Sequence, residues 1–207
     1  LPAGALQFVA GSAGDLLDHL TGQDVLSFTG SAATSQALRD HPAVSRNAVR
    51  FIAERDSLNA AVLGPDAVEG TPEFDLFIAE VVREMTVKAG QKCTAIRRII
   101  VPKAQEGAVI AALSARLAAI AVGDPRREDV RMGPLASRAQ RTATQEAVRE
   151  IAAEAGIVFG DPDKVEPVGA DAATGAFMAP VLLRCPEPLT AKAPHAVEAF
   201  GPVATVM

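Results

Sequence analysis

The chain has 207 residues, 49% apolar and 22% charged, with a formal net charge of −5; that is enough apolar content to bury a core and too little bias for a disordered or fibrous chain. Lys and Arg are scattered and stand side by side only at Arg97-Arg98 and Arg126-Arg127, which excludes the basic stripe of a nucleic-acid binder. No apolar run approaches the roughly 20 residues of a membrane helix, and two cysteines build no disulfide framework, so a reducing, cytoplasmic setting is expected.

In chain order, Leu1-Pro2-Ala3-Gly4 lacks the basic start of a signal peptide, and both ends read as cut from a longer chain. Ala5 to Val9 is apolar enough for a strand, and Asp15 to Leu20 suits a short helix. Val25 to Thr29 reads as a strand, Gly30 as a turn, and Ser31 as the cap of a helix running to about Asp40. Val49 to Ala53 is a third strand; strands and helices alternating at this spacing imply a parallel sheet with crossover helices. Asn59 to Leu63 is a further strand.

Thr71 then looks like an N-cap with Pro72 at the first helical position. Phe74, Phe77, Ile78, Val81, Val82 and Met85 follow at helical spacing, and Gly90 is expected to end that helix in a left-handed conformation. Ile96 to Val101 is a strand, about Lys103 to Ala119 a helix, and Gly123-Asp124-Pro125 opens a polar loop. A helix over about Ser137 to Ala155 and strands at Gly156–Phe159, Met178–Leu183 and Pro202–Val206 complete an α/β chain.

Cys93 lies on the loop between a helix stop and a strand, where free backbone amides and the neighbouring Lys92 would favour a reactive thiolate. A lone cysteine is as readily a small buried hydrophobe, and the residues alone leave both readings open. Cys185, ending an apolar strand, reads as structural. Glu54 stands at the carboxyl end of a strand in a parallel sheet, where ligands gather and where burial would strengthen it as a general base; the plain alternative is a solvated strand-end charge. Phe28-Thr29-Gly30-Ser31 is a strand, turn and helix start of the kind that binds phosphate, though many such turns bind nothing. His19, His41 and His195 have no metal-ligand spacing, and no metal site is expected.

Taken together, Phe28-Thr29-Gly30-Ser31, Glu54, Gly90-Gln91-Lys92-Cys93 and Glu198-Ala199-Phe200-Gly201-Pro202-Val203, in that order and with 39 residues from Glu54 to Cys93, resemble the aldehyde dehydrogenase family along essentially the whole chain. Asp56-Ser57-Leu58-Asn59, Val81 to Thr86 and Thr94 to Pro102 resemble its phenylacetate-degradation subgroup (PaaZ type). One departure fits that subgroup: Arg55-Asp56-Ser57-Leu58 stands where most members carry Leu-Gly-Gly-Lys after the glutamate.

The resemblance implies a fold in which residues 1–56 are the back half of a Rossmann-like NAD(P)-binding domain and residues 57–207 most of the catalytic domain, both incomplete. It implies Cys93 as nucleophile and Glu54 as general base. It assigns Gly30 and Ser31 to the cofactor phosphates, Glu198 to the nicotinamide ribose and Phe200 to packing beside the ring. It implies NAD or NADP as cofactor, NADP being favoured, an aldehyde substrate that is CoA-linked in the subgroup, a hydratase domain in the parent chain, and a homo-oligomer. A CoA-acylating dehydrogenase is the alternative, against which Glu54 argues; a catalytically silent isolated domain is another, and the fragment alone is expected to be inactive.

Overall fold

Val25–Thr29 forms β1 and Arg50–Glu54 forms β2, each covered on alternate residues as a strand with one packed face must be. They pair in parallel from Val25 opposite Arg50 to Thr29 opposite Glu54. Two short helices make the crossover that parallel pairing requires. α1 (Ala32–Arg39) is capped by Ser31, whose hydroxyl accepts from Thr34 N, and α2 (Pro42–Arg46) begins at a proline behind His41. The computed structural model describes residues 1–207; these elements belong to the first of two units, Leu1–Asp56, and the second is Ser57–Met207.

Two expectations fail in the first unit. Ala5 to Val9 is not a strand: it pairs with nothing, and Leu6 and Phe8 are 80% and 91% exposed. A strand exists by pairing, and apolar composition does not substitute for a partner. The three-stranded parallel pattern expected here is therefore a two-stranded one. Asp15 to Leu20 supplies only a 3-10 turn, Leu16–His19.

The second unit holds a five-stranded sheet of β3 (Asn59–Val62), β4 (Ile96–Ile100), β5 (Gly156–Phe159), β6 (Val181–Arg184) and β7 (Val203–Val206). The spatial order is β3-β4-β7-β6-β5, parallel throughout except that β5 runs antiparallel to β6. α3 (Pro72–Thr86) and α4 (Glu106–Ala118) cover one face, where Ile78, Val81, Met85, Val109 and Leu113 meet Ile99, Leu182, Ala204 and Val206. α5 (Arg138–Ala152) covers the other, where Val148 and Ile151 join Val181, Leu183 and Val203. The alternation of Val203 with Ala204 and of Leu182 with Leu183 between the two cores explains why β6 and β7 are continuous apolar runs. A last short helix, α6 (Ala193–Ala196), precedes β7 and was not foreseen. No helix is long and apolar enough to cross a membrane.

Helix α3 starts as expected, with Thr71 Oγ1 accepting from Phe74 N and Pro72 in the first turn. It does not run to Gly90. It stops at Thr86, and Lys88, Ala89 and Gly90 follow with φ of 54°, 52° and 69°. Three successive left-handed residues, two of them with side chains, cost roughly 1–2 kcal/mol each for the non-glycines, so surrounding contacts must hold this turn in place.

Candidate active site

In the second unit, three segments that could carry chemistry lead into the amino ends of three neighbouring strands. Ser57 precedes β3, Cys93 precedes β4, and Glu198 to Gly201 precede β7. Cys93 sits in a turn closed by Ala95 N donating to Lys92 O at 3.2 Å. It is exposed and in no disulfide, so it is not the buried hydrophobe of the plain alternative. Its own amide N–H has no acceptor within the chain. Cys185 is 1% exposed, and burial pushes its thiol above the ordinary value.

The carbonyl of Cys93 is held by two donors. Ser57 Oγ lies at 2.5 Å and Asn59 Nδ2 at 2.6 Å, with Asn59 Nδ2 also 3.1 Å from Ala95 O. The turn that carries the sulfur is thereby fixed from β3. The support expected from Lys92 is absent: its ammonium pairs with Glu84 at 2.7 Å, a residue of α3, and is largely neutralised there. Gln91 extends the bracing, its Nε2 donating to Lys88 O and its Oε1 accepting from Ala136 N.

Glu198 and Phe200 are brought into the same network. Glu198 Oε2 accepts from Ser57 N at 3.1 Å, and Oε1 faces Arg97 Nε at 3.6 Å. Arg97, 4% exposed, donates to Gly201 O and to Gly90 O, both at 2.7 Å, and its guanidinium lies 5.6 Å from the centroid of the Phe200 ring. Burial pulls its pKa below the ordinary arginine value, and the Glu198 carboxylate works against that fall. The Phe200 carbonyl accepts from Gln140 and Thr144 of α5. Gly90 approaches Gly201 so closely that a Cβ on Gly90 would lie 2.2 Å from Gly201 O. Glycine at 90 thus meets both a left-handed φ and a backbone contact.

His195 is structural: Nε2 lies 2.8 Å from Pro188 O and Nδ1 3.3 Å from Arg98 Nη1. Nε2 therefore carries the proton, and Nδ1 accepts from Arg98, which also donates to Leu58 O.

In the first unit, Gly30, Ser31 and Glu54 lie together at the carboxyl ends of the strand pair. Gly30 N donates to Glu54 O at 3.1 Å, and Thr29 is registered opposite Glu54. Glu54 closes β2 rather than following it, and its side chain is exposed, so the burial expected for a general base is not supplied by this unit. The first turn of α1 is partly satisfied from within: Ser31 Oγ accepts from Thr34 N, and Asp56 Oδ1 accepts from Ala32 N at 3.0 Å. Ala33 is left as the open amide of that turn. The turn fits one phosphate oxygen, with the Asp56 carboxylate as a competing anion.

Sequence reasoning missed Ser57, Asn59 and Arg97. The signal for Ser57 was available, since it falls in the segment that departs from Leu-Gly-Gly-Lys. Arg97 was visible only as half of a charged pair inside an apolar strand.

A model of the aldehyde dehydrogenase family matches residues 1–207. The chain is 54% identical over 207 residues to a 3,4-dehydroadipyl-CoA semialdehyde dehydrogenase of Aromatoleum evansii, covering 100% of this chain and 40% of that protein. It is 30% identical over 190 residues to a 3-succinoylsemialdehyde-pyridine dehydrogenase of a Pseudomonas species, covering 89% and 36%. Among solved structures, a betaine aldehyde dehydrogenase of Staphylococcus aureus in complex with NAD+ superposes with a TM-score of 0.74 at 26% identity, covering 89% of this chain and 34% of that one. The chain therefore spans about two-fifths of the length of the first of these relatives.

Proposed function

This chain belongs to the aldehyde dehydrogenase family, and on that premise we propose that it carries the nucleophile and the general base of an NAD(P)-dependent aldehyde dehydrogenase when it stands in a longer protein. The observation that carries the proposal is the exposed Cys93 on a turn braced by Ser57, Asn59 and Gln91, with an unengaged amide at the sulfur-bearing residue. Such a turn presents a thiol to an electrophile and a donor to the oxyanion that forms.

The steps fall to this chain's own residues. Cys93 Sγ adds to the aldehyde carbon, and its amide N–H donates to the carbonyl oxygen as charge builds there. A bound nicotinamide cofactor supplies the hydride acceptor. The acyl group remains on Cys93 as a thioester. Glu54 takes a proton from water, the hydroxide adds to the thioester carbonyl, and the carboxylic acid leaves as the thiolate is restored. Gly30, Ser31 and Ala33 would hold phosphate oxygens, Glu198 a ribose hydroxyl, and Phe200 the ring side of the pocket. Glu198 already accepts from Ser57 N and faces Arg97, which holds a hydrogen-bond-accepting carboxyl group next to the Cys93 loop.

The 54% identity with a CoA-semialdehyde dehydrogenase supports a CoA-linked semialdehyde of aromatic-ring degradation as substrate. Two free cysteines fit a reducing cytoplasm. NADP in preference to NAD, a hydratase domain in the same longer chain and a homo-oligomeric assembly complete the proposal by resemblance. By the same resemblance, dehydrogenases in which free CoA accepts the acyl group usually lack this base, so Glu54 argues against that alternative.

The test is Glu54→Gln in the longer protein. General-base assistance is worth roughly a hundred- to ten-thousand-fold, so hydrolysis of the thioester should nearly stop. The expected record is a burst of NAD(P)H about equal to the enzyme, then arrest, with the acyl group found by mass spectrometry on the peptide holding Cys93. Steady turnover by Glu54→Gln, or turnover that requires added CoA, would remove the hydrolytic assignment. Turnover by Cys93→Ala would remove the mechanism altogether.

A further inference from the structure

We propose that Arg97 is a positioning residue that locks the Cys93 turn and the Glu198–Gly201 segment into one rigid unit. The inference rests on the reading of Cys93 as nucleophile, and it adds a residue to which the family resemblance assigned no role. Four contacts of one planar group carry it. Arg97 Nη2 reaches Gly90 O and Nη1 reaches Gly201 O, each at 2.7 Å. Nε faces Glu198 Oε1 at 3.6 Å, and the guanidinium lies against the Phe200 ring. The two carbonyls belong to chain segments that are 111 residues apart in sequence (90 to 201), and Arg97 bridges them directly while Ser57 links Glu198 to the Cys93 carbonyl.

The geometry asks for arginine. A guanidinium presents its terminal nitrogens in a fixed plane and can bridge two acceptors at once, whereas a lysine ammonium is a point donor on a flexible stem. Gly90 closes the left-handed run Lys88-Ala89-Gly90, which does not persist without external restraint. Arg97 supplies that restraint at the residue three places before the nucleophile, while Ser57 and Asn59 hold the nucleophile's own carbonyl from the other side. The close contact of Gly90 with Gly201 O adds a hard stop. A displacement at Glu198–Phe200 is therefore passed to Cys93 through a rigid body.

Burial of the guanidinium opposite Glu198 also contributes to folding, so the test must separate positioning from stability. Arg97→Lys keeps the charge facing Glu198 and loses the bridge between carbonyls. In the longer enzyme, kcat per folded molecule should fall at least tenfold with KM for the aldehyde within about twofold of the parent, because misplacement acts on the chemical step. In the 207-residue chain, amide hydrogen exchange at the hydrogen-bonded N–H groups of Gln91 and Lys92 and of Gly201 and Val203 should quicken together in this variant, with α4 and β6 unchanged. Unaltered kcat in Arg97→Lys, or exchange that quickens in only one of the two segments, would overturn the proposal. Should Arg97→Lys fail to fold, Arg97→Gln/Glu198→Gln removes the uncompensated buried charge, and the exchange measurement is read on that pair. If Cys93→Ala turns over, the nucleophile reading fails by itself, and the exchange experiment still decides whether Arg97 couples the two segments.

Discussion

Replacing Gly90 by alanine tests the packing of the candidate site without touching any reacting group. The residue has φ of 69°, and a Cβ there would lie 2.2 Å from Gly201 O, 2.6 Å from Gly201 C and 2.9 Å from Met85 O. The left-handed backbone costs a non-glycine roughly 1–2 kcal/mol. The contact requires one backbone segment to move by about an ångström, at the roughly 1–3 kcal/mol typical of overpacking. The sum is a loss of about 2–5 kcal/mol, a large part of a domain's stability. With no Trp and no Tyr in the chain, the transition is best followed in urea by far-ultraviolet circular dichroism. Gly107→Ala is the control: that glycine lies in α4, nothing is within 4 Å of its would-be Cβ, and its φ is helical. It should be neutral or stabilising by up to about 1 kcal/mol. A Gly90→Ala chain as stable as the parent, or one no worse than Gly107→Ala, would refute the account of this turn.

Three further outcomes are expected. Ellman's reagent should titrate one thiol quickly in the native chain and two after unfolding, since Cys93 is exposed and Cys185 is buried with its thiol pushed upward; two fast thiols would contradict the burial of Cys185. Glu106 is held below its ordinary value chiefly by the two-pronged hydrogen bond from Arg184, so the pair stabilises the fold above about pH 4.5 and is lost as pH falls through the lowered value. Arg184→Gln should therefore flatten the acid limb of a stability–pH curve, and an unchanged limb would show that other carboxylates set it. Asp56→Asn keeps the acceptor for Ala32 N and removes the anion beside the α1 terminus, so in the longer protein NAD(P)+ should bind roughly two- to fivefold more tightly; calorimetry showing no change would place the cofactor phosphates away from Gly30–Ser31.

Much of the fold was legible where local chemistry decides it. Thr71 and Pro72 announce α3, Ser31 announces α1, and the mostly apolar run at residues 202–206 is a strand because both faces of the sheet are covered there. Ala5 to Val9 misled because it has the composition of a strand and no partner. The end of α3 misled because Lys88 and Ala89 adopt a conformation that their side chains disfavour, and contacts from distant or later residues, Arg97 and Gly201 with Gly90 and Gln91 with Lys88, hold it. Cys93 was legible as a loop cysteine, and its exposure sets aside only the buried alternative. Arg97 facing Glu198, and Ser57 donating to both Glu198 and Cys93, join residues up to 141 positions apart, and no local pattern encodes such pairings.

The place of β7 has a consequence for synthesis. It is the last of the five strands to be made, yet it lies between β4 and β6, with Val101 N, Cys185 N and Val181 N all donating to carbonyls of residues 202–207. Until those residues leave the ribosome, β3-β4 and β6-β5 are two separate ribbons, each with an open edge facing the vacant central slot. Closing the slot fixes contacts of long sequence separation in one late step, the kind that folds slowly. Gly201 travels with that strand, so the Gly90 end of the turn that carries Cys93 gains its second anchor only when the centre of the sheet is filled. A nascent chain stalled before residue 201 would hold a complete β3-β4 ribbon and a cysteine braced from Ser57 and Asn59 but not from Gly201.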